Sequence, residues 1–481
     1  MGRVKSPRSV HFVAIGGTGM GSLAGLLHAR GIEVTGSDEH LYPPMSTALE
    51  RWGIRVREGF RAENVLEANP DLVVIGNAVR PDNPEARAAI DEGFPYRSFS
   101  DALYELAMAG RHSVVVAGTH GKTTTTSIVA YLLKATGRDP SLLVGGISLD
   151  FDGSFREGQG AHFVVEGDEY DTAFFDKTPK FLHYHPRTLL LTSVEFDHAD
   201  IYRDLDHVKE AFRKLVAGMP ADGTIVAATA HAGVRDVLQG APCRVIGYAA
   251  DAPQASAEWE ARALSPDAAG TRFELWRGGA RIAHASTPLH GGFNVENSLG
   301  ALATVCALGV PQAEGLAALP RFRGVKRRME VRGTAGGVTV LDDFAHHPTA
   351  VAASLGAARA RFPGRRVLAV FEPRSNTSRR AVFQAEYADA LAQADLVFVR
   401  RVPDAPIYSA FGEVRDRLSA ERLVLAVAQR GREAIAREAV DELVAEIAQR
   451  AHSGDVVLVM SNGDFGGIWG KLLGRLGSEH A

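Results

Sequence analysis

The stretch SVVVAGTHGKTTTT, residues 113–126, decides how the chain is read. Ser113 to Val116 is an apolar run of strand-like length. It enters Gly118-Thr119-His120-Gly121-Lys122-Thr123-Thr124, after which Ile128 and Leu132 recur at helical spacing. A strand, a glycine turn and a helix in that order aim backbone N–H groups at phosphate oxygens. Lys122 adds charge, and the hydroxyl of Thr123 or Thr124 suits a magnesium ion. Val116 stands where a full Walker motif has its first glycine, so only the second half of the literal pattern is met.

Upstream, Val10 to Ile15 is a strand ending in Gly16-Gly17-Thr18-Gly19-Met20-Gly21, with Leu23, Leu26 and Leu27 behind it at helical spacing. Shorter strands, Glu33 to Thr35 and Asp71 to Gly76, end at Gly36-Ser37-Asp38 and Asn77. The turn fits a dinucleotide fingerprint, and Asp38 falls about 20 residues on, where a ribose-binding acid lies. A nicotinamide-dependent dehydrogenase is therefore the rival reading, although the same geometry serves a uridine diphosphate and hydride transfer has no use for a second phosphate loop at Lys122. Gly17, Thr18, Gly19, Met20, Asp38 and Asn77 are the candidates for a UDP-sugar.

Downstream, Phe163 to Val165 stops at Glu166-Gly167-Asp168-Glu169, and Thr188 to Val194 stops at Glu195-Phe196-Asp197-His198. Carboxylates at strand ends suit magnesium, and His198, between Asp197 and Asp200, suits a metal through an imidazole oriented by a carboxylate. A third alternation begins after Arg327-Arg328-Met329-Glu330, with strands near 338–341, 366–371, 395–399 and 455–460. The stretch Ala249 to Arg281, with Phe273, Leu275 and Trp276, reads as a surface β ribbon of the middle unit.

Composition bounds the answer. The 481 residues correspond to about three domains, and 46% hydrophobic with 23% charged residues describes a folded chain. Lys and Arg number 53 against 57 Asp and Glu, so there is no basic footprint for nucleic acid. Two cysteines, Cys243 and Cys306, fit a reducing compartment, and no apolar run reaches membrane-spanning length, so a cytoplasmic location without membrane insertion is expected. Met1-Gly2 with Ser6 matches a myristoylation pattern and is read as a chance match.

Seven blocks in order, HFVAIGGTGMGSLA with GSD, VVVAGTHGKTTTT, VVEGDEYD, EFDHADIY, GGFNVENSLGA, FRGVKRRME and LDDFAHHPTAV, closely resemble the Mur ligases, the ATP-dependent amide-forming enzymes of peptidoglycan metabolism. The resemblance covers essentially the whole chain. It implies an α/β fold of three domains: an N-terminal Rossmann-like domain over 1–107, a central P-loop ATPase-like domain over 108–325 and a C-terminal Rossmann-like domain over 326–481. YPPMSTAL (42–49), EYDTAFFDK (169–177), FEPRSNT (371–377) and MSNGDFGG (460–467) are similar to the recycling branch, which joins UDP-N-acetylmuramate to the murein tripeptide L-Ala-γ-D-Glu-meso-diaminopimelate. The branch that adds L-alanine to the same sugar nucleotide is the alternative.

The resemblance also implies roles. ATP is held by Gly118, Thr119, His120, Gly121, Lys122, Thr123 and Thr124, with Asn294 at the adenine and Asp343 at the ribose. Lys122 and Arg327 meet the transferring phosphoryl group, and Thr123, Glu166 and His198 hold Mg2+. His346, His347, Arg374, Ser375, Asn376, Asn462 and Asp464 are expected to read the peptide. Phe293 stands where the family usually has histidine, and Gly167 where alanine is commoner. Lys209 and Lys214 lie near the position of the carbamylated lysine that some relatives use.

Overall fold

The computed structural model describes residues 7–42, 45–252, 257–402 and 406–479. Pro43 and Pro44 of the YPPMSTAL stretch, and the Met1, Gly2 and Ser6 pattern, lie outside the described residues. The expected α/β architecture is present as three successive sheets.

The first sheet is parallel, in the order Arg55–Glu58, Glu33–Asp38, Ser9–Val13, Leu72–Ile75, Tyr96–Ser98. The strand order reverses beside Ser9–Val13, so the crevice at its carboxyl end is where such a sheet takes a ligand. Leu72–Ile75 is buried on both faces, which is why it reads as an unbroken apolar run, and Ser9–Val13 is buried from Val10 onward with His11 included. Arg55–Glu58 is a polar edge strand with one half-buried valine and carries no such signal, so the sequence does not reveal it. Glu33–Asp38 runs three residues further than its apolar stretch, because Gly36, Ser37 and Asp38 still pair with Val56, Arg57 and Glu58.

The central sheet has ten strands in the order Ala280–Thr287, Gly270–Arg277, Trp259–Asp267, Arg244–Ala250, Thr224–Ala228, Thr188–Leu191, His112–Ala117, His162–Gly167, Ser141–Ser148, Gly153–Arg156. Its middle is parallel. The expected ribbon proves to be three strands joined by antiparallel pairings at one edge of this sheet, and the Ser141–Ser148/Gly153–Arg156 hairpin forms the other edge. The third sheet, in the order Glu330–Ala335, Val338–Asp343, Val456–Met460, Val367–Phe371, Leu396–Arg400, Glu433–Arg437, is parallel except for its first strand, and apolar clusters cover both faces. Among the described residues no helix is long and apolar enough to cross a membrane.

The first and central sheets share one continuous apolar cluster. Helix Thr18–Ala29 packs on the hairpin at Gly153–Arg156: a Cβ at Gly25 would sit 2.5 Å from Phe155 Cε1 and 2.8 Å from Trp52 Cζ3, so only glycine permits this approach. Arg30 reaches Glu157 at 2.9 Å, and Ser22 Oγ meets Ser154 Oγ at 2.6 Å. Across the same junction His183 Nδ1 lies 2.8 Å from Asp101 Oδ1, with Asp176 at 3.6 Å from the other ring nitrogen.

Burial alone would depress the His183 pKa, but the bond and charge of Asp101, with Asp176 behind, raise it above 6.5. A group raised on folding contributes stability that is complete below its unfolded pKa and is lost as the pH climbs through the folded value. The wild-type melting temperature is therefore expected to fall more steeply than that of His183→Gln from pH 6.5 upward. Melting curves across that range test this, and parallel profiles for the two proteins would contradict it.

Candidate active site

Strand His112–Ala117 lies between Thr188–Leu191 and His162–Gly167, all parallel, so the segments that follow all three emerge at one sheet edge. That topology brings together 118–124, 166–169 and 192–198. Thr119 N donates to the Ser193 carbonyl at 3.0 Å and His120 N to Ser193 Oγ at 2.9 Å, which pins the glycine loop to its neighbour. Helix Lys122–Ala135 starts at the loop's end, and Gly121, with φ 81, makes the left-handed turn into it. The first N–H groups of such a helix have no intrahelical partner and face anions.

The Lys122 ammonium is buried under this turn. It donates to the Gly118 carbonyl at 2.7 Å and to Glu169 Oε2 at 2.8 Å. The other oxygen of Glu169 is 2.9 Å from His198 Nε2, and Tyr202 Oη donates to the Glu169 carbonyl at 2.7 Å. Burial opposes the charge on Glu169, but Lys122 and His198 outweigh it and hold the carboxyl at about 2. Burial likewise works against the imidazolium of His198, yet Asp197 and Glu169 lift it to about 9. Glu169 is thus the hub of a buried lysine–carboxylate–histidine chain. The sequence showed it only as one of three carboxylates at a strand end, because its partners are 47 and 29 residues away.

A second chain lies alongside. Thr123 Oγ1 donates to Glu166 Oε1 at 2.8 Å, and Gly145 N donates to Glu166 Oε2 at 2.7 Å. Burial and the neighbouring Asp168 raise the Glu166 pKa. Thr123 and Glu166 are hard oxygen donors, and a carboxylate raised by burial is one that a divalent cation would relieve, so both fit magnesium. His198 is not bonded to Glu166; Glu169 holds it, and it can ligate only as neutral imidazole.

The arginine that arrives from the domain boundary is not the expected one. Arg328 donates to Thr123 Oγ1 at 3.0 Å, whereas Arg327 donates to the Ser461 carbonyl at 2.7 Å, pairs with Asp342 at 3.3 Å and lies over the Trp469 and Phe344 rings. Arg328 sits between two left-handed residues, Arg327 and Met329, with φ of 60 and 53, and although both guanidiniums lie over the Phe344 ring, Arg328 is the one that bonds Thr123. Three consecutive polar residues, Lys326, Arg327 and Arg328, gave the sequence no means of telling which faced the loop.

Asp343 lies inside the third domain, accepting from Met329 N at 2.8 Å, Ala345 N at 2.9 Å and Ser354 Oγ at 3.0 Å. Its carboxylate shapes the turn that delivers Arg328. Asn294 Nδ2 donates to the His290 carbonyl at 2.9 Å and Asn294 Oδ1 accepts from Asn297 at 3.3 Å. Phe293 packs on the third-domain cluster, a docking contact that an imidazole would make less well.

Among the peptide candidates, His346 is half-buried and its Nδ1 is 3.0 Å from the Phe344 carbonyl. His347 caps helix Pro348–Arg361 and reaches the Phe196 carbonyl of the central domain at 3.1 Å. Asn376 donates to Asp200 at 3.2 Å, and Thr377 Oγ1 accepts from Ala199 N at 3.1 Å, so the FEPRSNT stretch meets the segment after His198. Arg374 and Asp464 are exposed 3.9 Å apart, Ser375 bonds Ser378 at 2.9 Å, and buried Asn462 Oδ1 has no hydrogen-bond partner among the described residues. In the first domain, Gly16 N donates to Asp38 Oδ2 at 2.7 Å, so Asp38 braces the glycine turn, while Gly17, Thr18 and Asn77 are exposed around the carboxyl ends of their strands and Gly19 and Met20 lie inside the helix start.

Comparison with known proteins finds three family matches in succession along the chain. Residues 9–111 match the model described as Mur ligase family, catalytic domain, residues 116–305 the Mur ligase middle domain, and residues 327–463 the Mur ligase glutamate ligase domain. The UDP-N-acetylmuramate–L-alanyl-gamma-D-glutamyl-meso-2,6-diaminoheptandioate ligase of Escherichia coli K12 is 40% identical over 473 residues, 98% of each chain. The crystal structure of a murein peptide ligase from Psychrobacter arcticus superposes with TM-score 0.73 at 34% identity, covering 98% of both chains. UDP-N-acetylmuramate-alanine ligase from Thermotoga maritima superposes with TM-score 0.79 at 27% identity, covering 98% of this chain and 99% of that one. The chain belongs to the Mur ligase family, whose members form amide bonds with ATP.

Proposed function

We propose that this protein joins UDP-N-acetylmuramate to L-Ala-γ-D-Glu-meso-diaminopimelate in the cytoplasm, as a peptidoglycan-recycling ligase, with domains dividing near 107/108 and 325/326. The observation that carries this reading is the full-length 40% identity to the E. coli ligase of that name. The alanine ligase of Sorangium cellulosum has lower identity, 37% over 98% of this chain.

The chemistry follows from the site. A carboxylate is a poor electrophile, so the lactyl carboxylate oxygen of the muramate attacks the γ phosphorus of ATP and ADP leaves. The neutral α-amine of the tripeptide then attacks the acyl carbon, sheds its proton, and inorganic phosphate departs. Lys122 and Arg328 converge on this phosphoryl group from two domains, and catalysis is mainly positioning and charge neutralisation. Glu169 sets where Lys122 and His198 stand before the substrates arrive. Magnesium, held by Thr123 and Glu166 with His198 once neutral, supplies neutralisation of the phosphoryl oxygens when bound. The first-domain turn at Gly17–Met20 with Asn77 takes the uridine diphosphate, Asn294 and Asp343 border the nucleoside, and His346, His347, Arg374, Ser375, Asn376, Asn462 and Asp464 surround the peptide. The planar fork of Arg374 suits its carboxylates.

Phosphate release from Mg-ATP and UDP-N-acetylmuramate, with the joined product checked by mass, should occur with the tripeptide and not with L-alanine; the reverse preference would make this the alanine-adding enzyme. Lys122→Ala is expected to abolish ATP turnover while UDP-sugar binding persists, and normal turnover would remove the cradle assignment. Arg328→Ala should lower kcat by about 10²- to 10³-fold, as loss of one charge-stabilising donor does. Arg327→Ala should instead lower the melting temperature with a much smaller change in kcat, and a swap of these two outcomes would return the phosphoryl role to Arg327.

A further inference from the structure

Beside the glycine loop, two imidazoles placed above at the nucleotide and at the peptide, His120 and His347, meet Glu195, and the reaction steps leave their mutual approach unexplained. One ligand atom from each of His120, Glu195 and His347 lies within 4.8 Å of the other two. The three side chains come from the glycine loop, the strand end before His198, and the N-cap of helix Pro348–Arg361, and so from two domains. His120 Nε2 and Glu195 Oε2 are 3.3 Å apart, and the His120 and His347 rings have centroids 4.7 Å apart.

We propose that His120, Glu195 and His347 form a site for a divalent transition-metal ion of the zinc class, which ties the phosphate loop to the C-terminal domain. Two imidazoles and one carboxylate are a donor set that zinc takes with a fourth position left for water, and one that magnesium does not favour. Donors about 2.0–2.1 Å from a tetrahedral ion stand about 3.3 Å from one another, which is the His120–Glu195 separation.

The surrounding contacts are those that metal ligands need. The Phe196 carbonyl can only accept, so its 3.1 Å contact places the proton of His347 on Nε2 and the lone pair on Nδ1. Nδ1 has only a long contact to give up, 3.3 Å from Thr349 N. Thr349 Oγ1 donates to Glu195 Oε2 at 2.7 Å and orients the carboxylate. Burial and the neighbouring His120 hold the His347 pKa down at about 4, so the imidazole is neutral at pH 7. Burial opposes ionisation of Glu195, but bonds and charge from His120 and the Thr349 bond keep it at about 2. Because His120 is two residues before Lys122, an ion here restrains the loop that carries the phosphate lysine.

The test is a zinc titration of the full chain by calorimetry in millimolar magnesium without nucleotide, with a parallel cobalt(II) titration followed in the visible spectrum. The wild type should bind one equivalent of zinc. Its cobalt form should show four- or five-coordinate d–d bands and lack the thiolate charge-transfer band that Cys243 or Cys306 would give. Glu195→Gln should remove the site, and Thr349→Val, which deletes only the orienting hydroxyl, should weaken binding about 10- to 100-fold. His198→Ala should retain it. No zinc uptake by the wild type, unchanged affinity in Glu195→Gln, or loss of the site in His198→Ala alone would each overturn the proposal. None of these readouts requires the substrates, so their failure is separate from failure of the ligase assignment.

Discussion

A buried ammonium governs this molecule. Removing a charge like that of Lys122 from water costs several kcal/mol unless an opposite charge and hydrogen-bond acceptors are fixed around it. Here the acceptors are the carbonyls of Gly118 and Thr119 within its own loop, and the opposite charge is Glu169, delivered by the neighbouring strand. Glu169 in turn needs a second cation, and His198 supplies it from the strand on the other side. Three adjacent parallel strands are therefore bound to one electrostatic arrangement at their carboxyl ends, and the order of the central sheet is the order that makes it possible.

The same arrangement explains why the domains meet where they do. The segment after His198 bonds the FEPRSNT stretch through Ala199 and Asp200, and Glu195 and Phe196 bond Thr349 and His347. Arg328 completes the connection from the domain boundary to Thr123. The C-terminal domain thus touches the glycine loop and its neighbours mainly through polar groups, while the first domain is joined to the central one by a continuous apolar cluster together with the Arg30–Glu157 and Asp101–His183 contacts. Hydrogen bonds and ion pairs lose strength within a fraction of an ångström, so the polar contacts fix how the C-terminal domain is placed on the central one.

Some of the left-handed non-glycine residues lie beside the same groups. His198, Arg327 and Met329 all have left-handed backbones without being glycine, at a cost of about 1–3 kcal/mol each. His198 is held by Glu169 and Arg327 by the Ser461 carbonyl, while Met329 is buried in the core of the C-terminal domain. Asp343 acts in a comparable way, since its oxygens hold the turn behind Arg328 through Met329 N and Ala345 N.

Much of the architecture was legible in the chain because buried parallel strands must be apolar and their ends must be polar. Val114–Val116 with its glycine loop, the two strand ends at Glu166 and His198, and the first glycine turn all announce themselves locally through that rule. Arg55–Glu58 did not, because an edge strand has no buried face to advertise. The choice between Arg327 and Arg328 did not either, since it rests on backbone dihedrals at a boundary, and sequence pattern is silent about them. Glu169 was visible as a carboxylate but not as the partner of Lys122 and His198. The sequence by itself determined the fold class, the glycine loop with its lysine at a helix start and the kinds of groups around it, because those are set by local periodicity and local chemistry. Only the tertiary structure decided which charge meets which, because an ion pair is made by distance in space, and residues 47 apart along the chain become neighbours only when the sheet has formed.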